Sequence, residues 1–131
     1  MKSYIVLGLG RFGQSFAKAL SNMGHDVLAV DRDENVVQAI SDEITHVMCA
    51  EASNEDFLKS IGAKNFDAAV VAIGNDIQSS ILTTVLLKEL GVKYVMAKAQ
   101  NDLHAKVLYK VGADKVILPE RDMGIRAANS L

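Results

Sequence analysis

The chain has 131 residues, half of them apolar and 23% charged, which is the length and composition of one domain with a sizeable core. A formal net charge of -2, with no Lys/Arg cluster, argues against a general nucleic-acid or membrane-surface binder. No apolar run approaches the roughly 20 residues that cross a bilayer, and no signal peptide is legible, so direct membrane insertion is not expected. The single Cys49 lies in a strand-like run and is expected to be a buried small apolar residue. One cysteine forms no internal disulfide, which fits a reducing cytosol.

In chain order, short apolar strands alternate with helical runs. Strands are predicted over Ser3 to Leu7, Asp26 to Val30, His46 to Cys49, Ala68 to Ile73, Tyr94 to Ala97 and Lys115 to Leu118. Their near-continuous apolar character points to burial on both faces, as in a parallel sheet. Helices are predicted over Arg11 to Met23, Glu34 to Asp42, a short run from Asn54 to about Gly62, Asp76 to Leu90, Asp102 to Val111 and Glu120 to Leu131. Gly24, Gly91 and Gly112 mark helix ends just ahead of new strands. This alternation predicts a Rossmann-like doubly wound α/β sheet of six mostly parallel strands in the order 3-2-1-4-5-6, in a single domain over 1–131.

The first predicted strand runs straight into Gly8-Leu9-Gly10-Arg11-Phe12-Gly13, a G-x-G-x-x-G loop that opens a helix. In such a loop Gly8 permits the tight turn, Gly10 lets backbone approach a pyrophosphate, and Gly13 lets helix and strand pack closely. The helix start then offers free N–H groups and a positive dipole end to an anion. Ligands of open α/β sheets bind beyond the C-terminal strand ends, at the switch point. Counting strand ends brings Arg11, then Asp31, Arg32 and Asp33, then Glu51 and Ala52, then Ile73, Gly74 and Asn75 to that rim. Lys98, Ala99 and Gln100 follow, with His104 one short loop further, and Glu120 comes last.

Asp31 stands 18 residues beyond Gly13, near the spacing at which a carboxylate accepts ribose hydroxyls. That disfavours a 2′-phosphate, although the adjacent Arg32 could accommodate one. Arg11 is a cation at a helix N-terminus, an arrangement that costs typically 0.3–1 kcal/mol, and a terminal phosphate would compensate it. Lys98 is a candidate second cation, and Glu120 a candidate partner of Arg11 or of a divalent ion. Tyr94 and Lys98 have the Y-x-x-x-K spacing of short-chain dehydrogenases, but that pair needs a helix. On a strand four residues span roughly 13 Å. His25, His46 and His104 lack metal-ligand spacing, and no catalytic set is recognisable.

Beyond the glycine loop, Val27 to Asp31, Val71 to Ser80, Lys98 to Asn101 and Ala113 to Gly124 together resemble the RCK, or KTN (TrkA-N), domain. More narrowly, the chain is similar to the N-terminal half of the cytosolic regulatory subunits of Ktr/Trk-type potassium transporters. The resemblance implies a cytoplasmic gating subunit that binds ATP/ADP or NAD(H) and has no turnover. It implies assembly as homodimers, usually within an octameric ring, beneath a membrane pore-forming subunit. Carried over by motif, Arg11 would contact phosphates and Asp31 the ribose. Glu51, Ala52, Ile73, Gly74 and Asn75 would line the adenosine side. Lys98, Ala99, Gln100 and His104 would complete the cleft, and Glu120 would approach the phosphates from the dimer side. Full-length members usually carry a C-terminal ligand-binding domain, for which these 131 residues leave no room. The last helix, 120–131, is expected to pack its apolar face on a partner subunit. The alternative is a small NAD-dependent oxidoreductase, against which the missing substrate domain and acid/base pair both weigh.

Overall fold

A computed structural model describes all 131 residues. The strands are β1 (Ser3–Leu7), β2 (Asp26–Asp31), β3 (His46–Cys49), β4 (Ala68–Val71), β5 (Val95–Lys98) and β6 (Lys115–Ile117). The helices are α1 (Arg11–Asn22), α2 (Glu34–Ile40), α3 (Glu55–Ser60), α4 (Ile77–Glu89), α5 (Asp102–Lys110) and α6 (Pro119–Asn129). A 3₁₀ turn over Ala63–Asn65, which the sequence reading did not foresee, precedes β4. The strands form one sheet in the order β3-β2-β1-β4-β5-β6, every pair parallel, as the alternation predicts.

Side chains alternate across the central strands, and the helices cover both faces. Ile5, Leu7, Val30 and Val71 point into a core of 18 buried residues shared with Leu58 of α3, Leu87 of α4 and Leu108 of α5. Val6, Val27, Ala29 and Val70 point the other way, into a core of 9 with Ala17 of α1 and Ile40 of α2. Each fully buried Leu or Ile contributes about 1.5–3 kcal/mol relative to exposure. Four helices start on a side-chain cap: Asp33 for α2, Asn54 for α3, Asp76 for α4 and Asn101 for α5 each accept a backbone N–H of the first turn.

The sheet edge corrects one expectation. β3 has a neighbour on one side only, and Cys49 at its end is exposed rather than buried. Its thiol faces the Arg32 carbonyl at 3.4 Å. An apolar run is buried on both faces only where helices cover both, and beside β3 that cover is incomplete.

The strand order reverses at β1. Its end bonds both neighbours: Gly8 N–H donates to Val30 O at 2.8 Å, and Ala72 N–H donates to Leu7 O at 2.7 Å. Gly8 has φ +102°, and a Cβ there would lie 2.8 Å from the Ala72 carbonyl. Gly13 packs so closely under the loop that a Cβ would collide with the Gly8 carbonyl oxygen. Gly13→Ala is therefore expected to destabilise the fold by about 3 kcal/mol. At Gly10, whose φ is -70° and where an added Cβ meets nothing within 4 Å, the same change is expected to cost at most about 1 kcal/mol, as a weaker N-cap. Urea unfolding of the two variants beside the parent measures the contrast, and equal midpoints would contradict it.

Candidate functional site

The switch point opens into a cleft of about 910 Å³ across the C-terminal ends of β1, β2, β3, β4 and β5. Of the predicted site residues, Gly8, Gly10, Arg11, Asp31, Arg32, Glu51, Ala52, Ile73, Gly74, Asn75, Lys98 and Glu120 line it. A second groove of about 610 Å³, between the opposite ends of β1 to β3 and the Ala63–Asn65 turn, has no lysine or arginine in its lining.

Charge in the cleft is unevenly committed. Asp31 uses both carboxylate oxygens: Oδ2 accepts from Leu9 N–H and Oδ1 from Asp33 N–H, each at 2.8 Å. It braces the glycine loop against the end of β2 and lines the cleft. Asp76 is spent on the α4 cap, accepting from Ser79 N–H at 3.0 Å. Arg32 and Glu51 face each other at 3.9 Å, both well exposed, a pair worth at most about 1 kcal/mol. Arg11, Lys98 and Glu120 enter no ion pair or side-chain hydrogen bond within the chain, so of the two roles considered for Glu120 the pairing with Arg11 is not made here. Two unpaired cations therefore line the cleft, Arg11 on the first residue of a helix with no acidic side chain in its first turn and Lys98 near Gly74.

The glycines divide by what excludes a side chain. At Gly8 and Gly13 the protein's own backbone does so. At Gly10 nothing in the protein does, and the backbone there is extended, open to any residue. A Cβ at Gly10 would stand in the cleft, beside the first turn of α1. Across the cleft, the free N–H groups of the α1 start, the Arg11 guanidinium and the Lys98 ammonium are donors that suit a phosphate.

Six predicted residues lie off the cleft lining. Phe12 turns away along α1 and meets Phe16 at 5.5 Å between ring centroids. Gly13 is covered by the loop. Asp33 caps α2, accepting from Asn35 N–H at 2.9 Å. Ala99 is part of the core. Gln100 spends its side-chain amide on the Gly74 carbonyl. His104, 3% exposed, packs between α5 and α4, with Nε2 2.7 Å from Ser80 Oγ. The strand-end count missed the first turn of α4, where Asp76, Ile77, Gln78 and Ser79 also line the cleft. The signal for them was present: a capping aspartate directly after the fourth strand turns a helix start toward the switch point.

A parallel sheet with a phosphate-type glycine loop at its switch point defines the class of doubly wound nucleotide-binding domains. Within that class the chain belongs to the TrkA-N domain family, whose model matches residues 4–119. It is 52% identical over 130 residues to Ktr system potassium uptake protein A and 50% identical to protein C, both of Bacillus subtilis. These matches cover 99% of this chain and 59% of each relative, so the chain spans about three fifths of their length. Among solved structures, the NAD(P)-binding domain of an exopolyphosphatase-related protein from Archaeoglobus fulgidus has the same fold. The TM-score is 0.87 at 21% identity, covering 99% of this chain and 97% of the other. The GsuK channel bound to NAD has a TM-score of 0.79 at 11% identity, covering 89% of this chain and 21% of the channel. GsuK has also been solved bound to ADP (TM-score 0.77, 12% identity, covering 88% of this chain and 31% of that chain). No helix of this chain is long and apolar enough to cross a membrane.

Burial holds the His104 pKa below its ordinary 6.5. The unfolded chain then takes up the proton first, so the stability that depends on neutral His104 is complete above about pH 6.5 and is lost progressively below it. Thermal melting from pH 8 to 5 is expected to show a fall that His104→Gln flattens. An unchanged slope in that variant would assign the pH dependence elsewhere.

Proposed function

We propose that this chain is the nucleotide-binding part of a cytoplasmic regulatory subunit of a potassium uptake system, taking ATP/ADP or NAD(H) without turnover. The observation that carries the reading is the pair of unpaired cations, Arg11 and Lys98, on a cleft where Gly10 is left open by the protein itself. The names of the Ktr relatives and the NAD- and ADP-bound states of GsuK support it from outside the chain. Arg11 would reach the phosphates, Asp31 the ribose hydroxyls, and Glu51 with Ala52 the adenosine side. Phosphate number would then be reported through Arg11 and Glu120, since a ligand shifts an assembly only through differential affinity for its states. Against an oxidoreductase reading, no histidine lines the cleft, and Asp31 and Asp76 are engaged with backbone.

A thermal-shift panel of ATP, ADP, AMP, NAD, NADH and NADPH tests this on the parent, Arg11→Ala and Gly10→Ala. Ligand at 100 times Kd stabilises by about 2.7 kcal/mol, a shift on the order of 10 °C for a chain of this size. The parent is expected to respond to at least one adenine nucleotide, and both variants to lose most of that response. No shift with any ligand would defeat the proposal.

The subunit would work as a homodimer within a larger, octameric ring below its membrane partner. Supporting this, α6 has no buried residue, and Met123 and Ile125 are 64% and 54% exposed. The Arg121–Asp102 ion pair at 2.7 Å links α6 to the start of α5. A second copy is the cover we propose for the apolar positions of α6. Sedimentation equilibrium should report a dimer or larger species for the parent and a monomer for Met123→Glu/Ile125→Glu. A parent that remains monomeric at high concentration would refute this cover.

A further inference from the structure

The α4–α5 contact includes a buried polar pair, Ser80 and His104, where a core would ordinarily be apolar. The chain's four buried polar residues are Ser80, Thr83 and Thr84 of α4 and His104 of α5; Ser80 and His104 meet between the helices, and Thr83 Oγ1 has no partner. Burying hydroxyls and an imidazole gains little stability over well-packed aliphatic side chains, so the arrangement calls for a geometric reason. The hydrogen bonds supply one. Gln100 N–H donates to His104 Nδ1 at 3.0 Å, which leaves Nδ1 as the acceptor and places the ring proton on Nε2, facing Ser80 Oγ at 2.7 Å. Asn101 Oδ1 accepts from the His104 backbone N–H at 2.8 Å, which holds the residue's backbone in the capped first turn of α5. The imidazole thus ties α4 to the turn that follows β5.

That turn reaches the cleft. The Gln100 side-chain amide donates to the carbonyl oxygen of Gly74, a lining residue between β4 and α4. Lys98, from the same end of β5, lies against Gly74 as well: a Cβ added there would be 3.5 Å from Nζ. The β4–α4 loop has no other side-chain hydrogen bond from β5 or its turn. Ser80, His104, Gln100 and Gly74 form one continuous clamp from a buried helix contact to the cleft wall.

We propose that His104 is a positioning residue, whose imidazole orients Gln100 and through it holds the Gly74–Ser79 wall in place for ligand. The clamp is a property of the fold; its effect on affinity rests on the nucleotide reading above. Gln100 is exposed, so Gln100→Ala removes the last link without opening the core.

Hydrogen exchange of the nucleotide-free protein decides the point. Amides of residues 72–79 are expected to exchange at least tenfold faster in Gln100→Ala and His104→Leu. In His104→Asn, whose Oδ1 can replace Nδ1 as acceptor for Gln100 N–H, they are expected to stay near the parent rate. Amides of β2 and α2 serve as the reference and should not change. Parent rates at 72–79 in Gln100→Ala would overturn the clamp even if His104→Leu failed to fold. ADP titration of the same variants should show affinity falling about tenfold with the loosened wall. A loosened wall with unchanged affinity would overturn the positioning role. A parent that binds no nucleotide would refute the nucleotide reading instead, with the exchange rates still judging the clamp.

Discussion

The site depends first on one carboxylate. Asp31 accepts the N–H of Leu9 with one oxygen and of Asp33 with the other. Those bonds fix the glycine loop onto the end of β2 and shape the turn that starts α2. Charge-assisted bonds of this kind contribute about 1.5–3 kcal/mol each. With the loop so held, Gly13 can pass under the Gly8 carbonyl, and α1 starts with its free N–H groups toward the switch point. Arg11 then projects where the helix begins, and Gly10 is left with open space in front of it. A ribose contact and a structural brace are compatible in Asp31, because each oxygen accepts more than one bond.

Much of this was legible in the residues. Apolar runs marked all six strands, glycine marked the helix ends ahead of β2, β5 and β6, and the acidic or amide residues before α2, α3, α4 and α5 marked their starts. Strand ends were less legible. Ala72 continues the apolar run of β4 and bonds Leu7, but the chain already turns toward Gly74, so the strand ends at Val71. The Ala63–Asn65 turn is too short to carry any periodicity. Cys49 was misplaced because an apolar run does not reveal which strand will lie at the edge.

The site was legible where strand ends point, and illegible where helices turn side chains back. Counting along strands put Gly8, Asp31, Glu51, Gly74 and Lys98 on one rim, and a parallel sheet necessarily does so. It could not show that His104, at the third position of α5, faces Ser80 instead of the cleft. That depends on the packing of α5 against α4. Nor could it show that Asp31 and Asp76 would be occupied by backbone donors, leaving Arg11, Lys98 and Glu120 as the uncommitted charges of the cleft.

Two further aspartates repeat the Asp31 device at the other end of the sheet. Asp67 accepts from Ser3 N–H and Asp114 from Val95 N–H, each at 2.8 Å. Asp114 also holds Lys88 at 3.0 Å. Burial pushes the Asp114 pKa up, but its bonds to Val95 and Lys88 outweigh that and hold the carboxyl below its ordinary 3.8. A parallel sheet thus has two ends with separate duties: ligand groups collect at one, and strand-joining carboxylates secure the other. Changes in thermal tolerance can accumulate around Asp67 and Asp114 while the cleft keeps its chemistry, because the length of the strands insulates the two ends.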